Sequence, residues 1–277
     1  MSTTIITEHP SWHVSDDGTA VRVVEYAGTI WSAHWNATGL TLCPTGTGST
    51  EAPPVARTSP DTLPSHRDVQ ALVTKLACLG TVQRLTNPSL WDAIATALLR
   101  QVVRAGQARK VYRAFCAAYG RAVDTVVGPL AVMPSPEAVL TLSDTQFAAV
   151  GAAFNRDALR HAARAYLERG RYWRTLDADS LVKELVSVRR VGPWTAAAAA
   201  ADHTGDHAVY PHSDLAVRTW ARKAAPDLEL PVSEAEFAAL WRRWAPDRTT
   251  LHTLTLLTLT WGTHARPTEH GGNPRHA

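Results

Sequence analysis

The stretch VRRVGPWTAAAAAADH, Val188 to His203, decides how the rest of the chain is read. Proline suits the first turn of a helix, so Gly192-Pro193 marks a corner at which a new helix begins. Just upstream, DSLVKELVSV carries Leu181, Val182 and Leu185 at helical spacing, with Asp179 as its candidate cap. The product is a short helix, a tight turn from Val188 to Gly192, and a second helix whose first N–H groups have no partner within the helix. Such a terminus and its dipole suit a phosphate, and Arg189 and Arg190 add charge at the same corner. The same residues equally fit an ordinary helical hairpin with solvated arginines. Six successive alanines, Ala196 to Ala201, imply close packing against a neighbour or space left for a ligand.

Downstream lies AVYPHSDLAVRTWARKAAP, in which Ser213 or Asp214 opens a helix bearing Leu215, Val217, Trp220 and Ala221. By spacing alone, an acid there is most simply an N-cap. The same position also holds a carboxylate firmly. A fixed carboxylate stabilises developing positive charge and orients water, as cleavage of a glycosidic C–N bond requires. The segment DHTGDHAVYPHSD places His203, His207 and His212 near Asp202, Asp206 and Asp214. Gly205 interrupts it and the segment reads as a loop, so a two-histidine helix face for a catalytic metal is not expected.

Outward from this centre the chain of 277 residues changes character once. Residues 1–50 are rich in Val, Thr, Ile and Trp, with alternation in AVRVVEY and TIWSAHW, and predict a small antiparallel sheet. Residues 51–65, crowded with Pro, Thr and Ser, read as a linker. Residues 66–262 read as helix almost throughout, and 263–277 as a flexible polar tail. In NPSLWDAIATALLRQVV the apolar positions Trp91, Ile94, Ala95, Leu98, Leu99 and Val102 share one helical face, with Asn87 or Ser89 as cap. SDTQFAAVGAAFNRDALRHAARAYLERG and the Leu-rich TTLHTLTLLTLTWG are further helical stretches, and Gly170, Gly192 and Gly262 mark helix ends. The fold class is therefore mainly α with a small N-terminal β region.

Cys43, Cys78 and Cys116 form no metal-ligand spacing, which argues against a disulfide framework, structural zinc or an iron-sulfur cluster; they read as small buried hydrophobes. No uncharged apolar run reaches about 18 residues and no secretory signal opens the chain, so no membrane partner is expected and the protein reads as intracellular. A net charge of +3 permits a polyanionic partner without demanding one.

VRRVGPWTA followed by YPHSDLAVR resembles the helix-hairpin-helix DNA glycosylase superfamily, whose hairpin Leu-Pro-Gly-Ile-Gly-x-x-Thr-Ala precedes a catalytic Asp opening a later helix. Val191, Gly192, Thr195 and Ala196 match the hairpin, and the spacing to Asp214 is most similar to the bacterial 3-methyladenine DNA glycosylase II branch. LLRQVVRAGQARKVYRAF and DALRHAARAYLERG also resemble segments of that family, so the likeness spans about Thr86 to Gly262. It implies two helical lobes, double-stranded DNA with damaged bases as partner, a monomer, and a bacterial cytoplasmic location at the nucleoid. It further implies that Asp214 is catalytic, that Gln101 and Val102 fill the space left by an extruded base, and that the hairpin grips phosphate. A monovalent cation, Na+ or K+, is implied at the backbone carbonyls of Val186, Val188 and Val191.

Members that also nick the strand carry a Lys where this chain has Trp194, so the resemblance implies hydrolysis alone, leaving an abasic site. Trp194 is placed to stack on the extruded base, or alternatively packs beneath the hairpin. The departures are specific. Arg190 replaces the first hairpin glycine, so either the turn differs or the arginine substitutes for backbone contacts. Arg104 replaces a serine as a phosphate-facing charge, and Ala198 and Leu256 stand where pocket aromatics are found. A more open pocket for a bulkier alkylated base, or broad specificity, is the expectation. The alternative is a noncatalytic DNA-binding protein that uses the hairpin as a sequence-independent grip on damaged DNA.

Overall fold

The computed structural model describes residues 3–6, 8–36, 38–46, 51–101 and 103–264. Nine strands and eleven α-helices follow in order among them. The strands are β1 (Thr3–Ile5), β2 (His13–Val14), β3 (Ala20–Tyr26), β4 (Thr29–Asn36), β5 (Gly39–Pro44), β6 (Val55–Thr58), β7 (Thr81–Leu85), β8 (Ala122–Thr125) and β9 (Gly128–Ala131). The helices are α1 (Gln70–Ala77), α2 (Leu90–Leu99), α3 (Ala105–Tyr119), α4 (Pro136–Thr141), α5 (Asp144–Ala149), α6 (Arg156–Trp173), α7 (Ala178–Val186), α8 (Pro193–Thr204), α9 (Leu215–Ala224), α10 (Glu234–Trp244) and α11 (Arg248–His264). No helix among the described residues is long and apolar enough to cross a membrane.

The chain divides into two compact units that interleave in sequence. One holds Ser59–Val82 and the described residues from His212 onward, and the other Ile5–Thr58 with Gln83–Pro211. The expected boundary between a β region and one helical domain is thus replaced by units that each gather distant segments. The stretch expected as linker is ordered in part: Val55–Thr58 is β6, and Pro60–Thr62 forms a 3-10 turn capped by Ser59.

In the second unit, β2 to β5 form an antiparallel sheet in sequence order, with Val24 opposite Trp31 and Arg22 opposite Ala33. The alternation of AVRVVEY predicts one dry face, but both faces are covered. Ala20, Val24, Trp31 and Ala33 pack with Ile5, Trp12 and Leu85, whereas Val21, Val23 and Ile30 pack with Leu130 and Val132. The covering element on that second face includes the β8–β9 hairpin, which the sequence reading missed because RAVDTVVGPLAV is too short to establish a period.

Every residue of α2 is buried, including Asp92 and Thr96. Ser89 caps this helix, its hydroxyl accepting from the Asp92 N–H; Asn87 does not, because its side chain enters a buried polar cluster. The Asn87 amide donates to Asp92 at 3.1 Å and to Asp202 at 2.8 Å, and Tyr112 donates to Asp92 at 3.0 Å. The Arg22 guanidinium, only 1% exposed, lies 3.8 Å from Asp92, and Arg84 pairs with Asp202. His9 completes the cluster. Its Nδ1 accepts from the Ser11 N–H at 3.2 Å, which assigns the ring proton to Nε2, 3.7 Å from both carboxylates. Burial first, then the Arg22 charge, hold His9 well below its ordinary pKa. Burial raises Asp92, whereas at Asp202 the Arg84 and Arg22 charges outweigh burial and hold it below the carboxylate range.

Helix boundaries differ from expectation for local reasons. Residues 143–170 form two helices, α5 and α6, parted by a turn in which Gly151 has φ +77°. Gly170 sits inside α6 under the Tyr166 ring, and Asp177 rather than Asp179 caps α7. Gly262 lies inside α11, where a Cβ would come within 2.2 Å of the Trp220 ring of α9, so it marks a close helix approach and not an end. The alternating Leu and Thr of α11 form a helix because Thr253, Thr258 and Thr260 return their buried hydroxyls to carbonyls one turn back. Of the cysteines, Cys116 is buried as expected and Cys43 and Cys78 are exposed. The tail beyond residue 264 lies outside the described residues.

The His9 environment has a measurable consequence. With its folded pKa depressed, the unfolded chain takes up a proton near pH 6.5 that the native state refuses, so stability falls as pH drops through that value. Raised Asp92 acts with the opposite sign, so the His9 share is read as a difference. In urea unfolding between pH 7 and pH 5, the gap between wild type and His9→Gln should shrink toward low pH by up to about 1.4 kcal/mol per pH unit. A gap independent of pH would remove His9 as the titrating group.

Candidate functional site

The turn between α7 and α8 is built from its buried residues outward. Leu181 and Leu185 anchor α7, and Val188 and Val191 are buried within the turn. The Val188 N–H donates to the Leu185 carbonyl and the Val191 N–H to the Val188 carbonyl, both at 3.0 Å. Between them Arg190 adopts φ +72°, so the turn keeps a left-handed residue although its side chain is not glycine. A left-handed backbone at an L-residue costs roughly 1–2 kcal/mol. Gly192 is the N-cap of α8 with ordinary φ −82°, and a Cβ there would meet no atom within 4 Å. Its lack of a side chain is therefore not required by packing of the protein itself, and it leaves the start of α8 open to a group from outside.

Arg189 and Arg190 are both exposed beside this opening. Thr195 is 2% exposed, and its hydroxyl accepts from Gln101 Nε2 at 2.7 Å. The same Gln101 amide donates to the Arg190 carbonyl at 3.3 Å, so Gln101 braces the turn from the end of α2. That helix stops at Leu99 instead of continuing through the expected Gln101 and Val102, and Val102 lies outside the described residues. Val103 and Arg104 are exposed, with Arg104 at the N-cap position of α3 and making no side-chain cap bond.

One residue beside this region escaped the sequence reading. Phe154 is 72% exposed, and its neighbour Asn155 donates to the Leu98 carbonyl at 2.7 Å, which fixes the loop to the end of α2. The sequence signal was weak, since FNRD reads equally well as part of a continuous helix.

Beneath the turn, Ala196 to Ala201 are all buried, and α8 packs against α2 and α7. Trp194 is half-buried, one turn before Ala198. The C-terminal end of α8 is closed by Arg84, which donates to the Asp202 carbonyl at 3.1 Å, and by the Asn87 N–H at 3.0 Å. His203 belongs to α8, not to a loop, and its Nδ1 lies 2.9 Å from the Asn87 carbonyl; His207 is buried and stacks on Tyr210. Asp202 and His203 are thus parts of the packing.

Asp214 and Leu256 belong to the other unit. Asp214 is half-buried at the N-cap position of α9, with φ −56° and ψ 145°, and makes no side-chain cap hydrogen bond there. The plain capping role is therefore not what its carboxylate performs. Leu256 is 2% exposed within α11.

Solved structures with this architecture are known at low sequence identity. An 8-oxoguanine glycosylase/lyase from Clostridium acetobutylicum, solved with DNA, is 12% identical with a TM-score of 0.68, covering 93% of this chain and 89% of its own. A 3-methyladenine DNA glycosylase from Archaeoglobus fulgidus is 16% identical with a TM-score of 0.67, covering 93% and 92%. The 3-methyladenine DNA glycosylase of Schizosaccharomyces pombe, in complex with abasic DNA, reaches 0.54 at 16% identity, covering 77% and 98%. The chain has the helix-hairpin-helix glycosylase fold. No family model and no curated protein matches it by sequence. The small N-terminal sheet accompanies the helices as expected.

The left-handed arginine in the glycosylase-fold hairpin yields a two-sided prediction. Arg190→Gly should raise the unfolding free energy by about 1 kcal/mol, strain relief being partly offset by the freer unfolded chain. The same change should weaken binding to a DNA duplex and reduce its salt dependence by about one phosphate contact. Denaturation and salt-titrated binding, measured on the same variant, check both sides.

Proposed function

We propose that the protein is a DNA glycosylase that extrudes a damaged base from the duplex and hydrolyses its glycosidic bond, leaving an abasic site. The observation that carries this reading is the hairpin: an open helix start at Gly192, a left-handed Arg190, and a brace from Gln101, within a fold shared with glycosylases solved on DNA. Arg104, Arg189 and Arg190 supply charge for phosphate, and the open start of α8 at Gly192 lies beside Arg189 and Arg190. Monovalent cation binding at the carbonyls of Val186, Val188 and Val191 fits the donor set, because the Val188 carbonyl, though bonded to Val191, keeps a second lone pair. Such an ion would add positive charge facing the phosphate. Val102 and exposed Phe154 are the candidates to enter the stack when the base leaves.

Asp214 is assigned the chemical step. A half-buried carboxylate fixed at the start of α9 stabilises the cationic sugar as the base departs and directs water to it. Trp194 offers a ring face and no amine, so no Schiff base forms at this position and the enzyme is monofunctional. The ring prefers an electron-poor alkylated base. With the small Ala198 one turn beyond Trp194, the preferred lesion is a bulky alkylated base or a broad set of them. The partner is double-stranded DNA, bound by a monomer in the cytoplasm.

Two measurements test this. On an alkylated duplex, Asp214→Asn should lose at least about a hundredfold in base release while binding the duplex as wild type does; equal release by both proteins would leave a noncatalytic DNA-binding role. Ala198→Tyr, checked for a wild-type melting profile, should shift the excision ratio toward small methylated bases and away from bulky adducts. An unchanged ratio would remove pocket size as the determinant.

A further inference from the structure

The start of α2 borders a second cleft, distinct from the hairpin. It has a volume of about 840 Å³ and is lined by Tyr26, Trp91, Tyr119, Arg121, Tyr166 and Arg174 together with backbone around Pro134. Every lining residue belongs to the second unit. Gln101 and the hairpin lie past the other end of α2, and the ten residues of that helix span about 15 Å. The volume falls within the range of roughly 300–1,000 Å³ typical of small-ligand sites.

The lining chemistry is selective. Its charged residues are Arg121, Arg174 and Glu25, an excess of one positive charge. Arg121 meets Glu25 at 3.4 Å with both side chains about half exposed, a pairing that costs little to exchange for another anion. Arg174 lies close enough to the Tyr166 phenol that its charge works against the rise that burial causes there. The Ser89 hydroxyl takes the Asp92 N–H. One of the first N–H groups of α2 is thus already bonded, and an anion here would be held chiefly by guanidinium groups.

The rings are fixed by their polar ends. The Trp91 indole donates to the Pro134 carbonyl at 2.7 Å, Tyr119 to the Gln146 carbonyl at 2.9 Å, and Tyr26 to Glu51 at 3.1 Å. Trp91 and Tyr166 stand 5.7 Å apart at a tilt of 48°. Rings held this way offer apolar surface to a ligand with little ordering cost. Anchored aromatics combined with arginines are the means by which proteins hold unpaired nucleotides.

We propose that this cleft binds a nucleotide, with the flat base against the half-buried Tyr119 and Tyr166 rings and the phosphate on Arg121 and Arg174. The ligand is either a free mononucleotide or an unpaired nucleotide of a single strand. None of its residues has a part in the proposed base excision, so either assignment stands or falls without the other.

Calorimetric titration with deoxyadenosine monophosphate, deoxyadenosine and inorganic phosphate tests it. The monophosphate should bind with Kd below about 1 mM, and the two fragments at least about tenfold more weakly. Arg121→Ala, at an exposed site, should cost the monophosphate about tenfold, and Tyr119→Leu should weaken monophosphate and nucleoside alike. A short single-stranded oligonucleotide, titrated into a protein carrying Arg189→Ala and Arg190→Ala, separates the sources. Binding about tenfold tighter than the monophosphate assigns a strand, and equal affinity assigns a free nucleotide. Absence of monophosphate binding, or binding unaffected by Arg121→Ala and Tyr119→Leu, overturns the proposal.

Discussion

The close approach of α8 to α2 is the constraint from which the hairpin takes its position. Both ends of α8 are tied to residues flanking α2. At the start, Gln101 holds the Thr195 hydroxyl and the Arg190 carbonyl. At the finish, Arg84 and Asn87 satisfy the last carbonyls of α8 and pair with Asp202. Helix ends buried without partners would leave orphaned backbone groups, and here those groups are the attachment points. Alanine is the residue that lets two such backbones approach without losing helix propensity.

The polar cluster around Asp92 is the counterpart of that dry contact. Two arginines face two carboxylates, with a neutral histidine between the acids. Removing any one member would strand a buried charge, which is why such clusters are costly to break although they contribute little net stability when intact. Their value is in specificity: His9 and Arg22 come from the N-terminal β region, Arg84 and Asn87 from the chain before α2, and Asp202 from α8. Segments far apart in sequence are thereby fixed in one arrangement.

Much of this was legible in the sequence because the decisive corner carries its own punctuation. Gly192-Pro193 located the start of α8, and Ser89 and Asp214 both stand at helix starts. What was not legible depends on tertiary contact. Gly262 looks like a helix stop until Trp220 is seen occupying the space of its missing side chain. The β8–β9 hairpin is four residues a side and draws its order from the sheet face it covers. Phe154 is a further case: its exposure, which sequence does not encode locally, is what distinguishes it from a core phenylalanine.

Arg190 and the alanine run show how one segment serves two demands that conflict elsewhere. A glycine at position 190 would relax the backbone but remove an exposed cation beside the start of α8, so the strain of φ +72° persists only where the structure around it holds it in place. The surrounding contacts make that tolerance possible, since Val188 and Val191 are buried on either side and Gln101 pins the Arg190 carbonyl. The same logic bears on Ala198. Its small side chain is needed wherever α8 meets a neighbour closely, and packing alone therefore does not require that it also widen a base pocket. Only a change in which base is excised, at unchanged stability, separates the two demands.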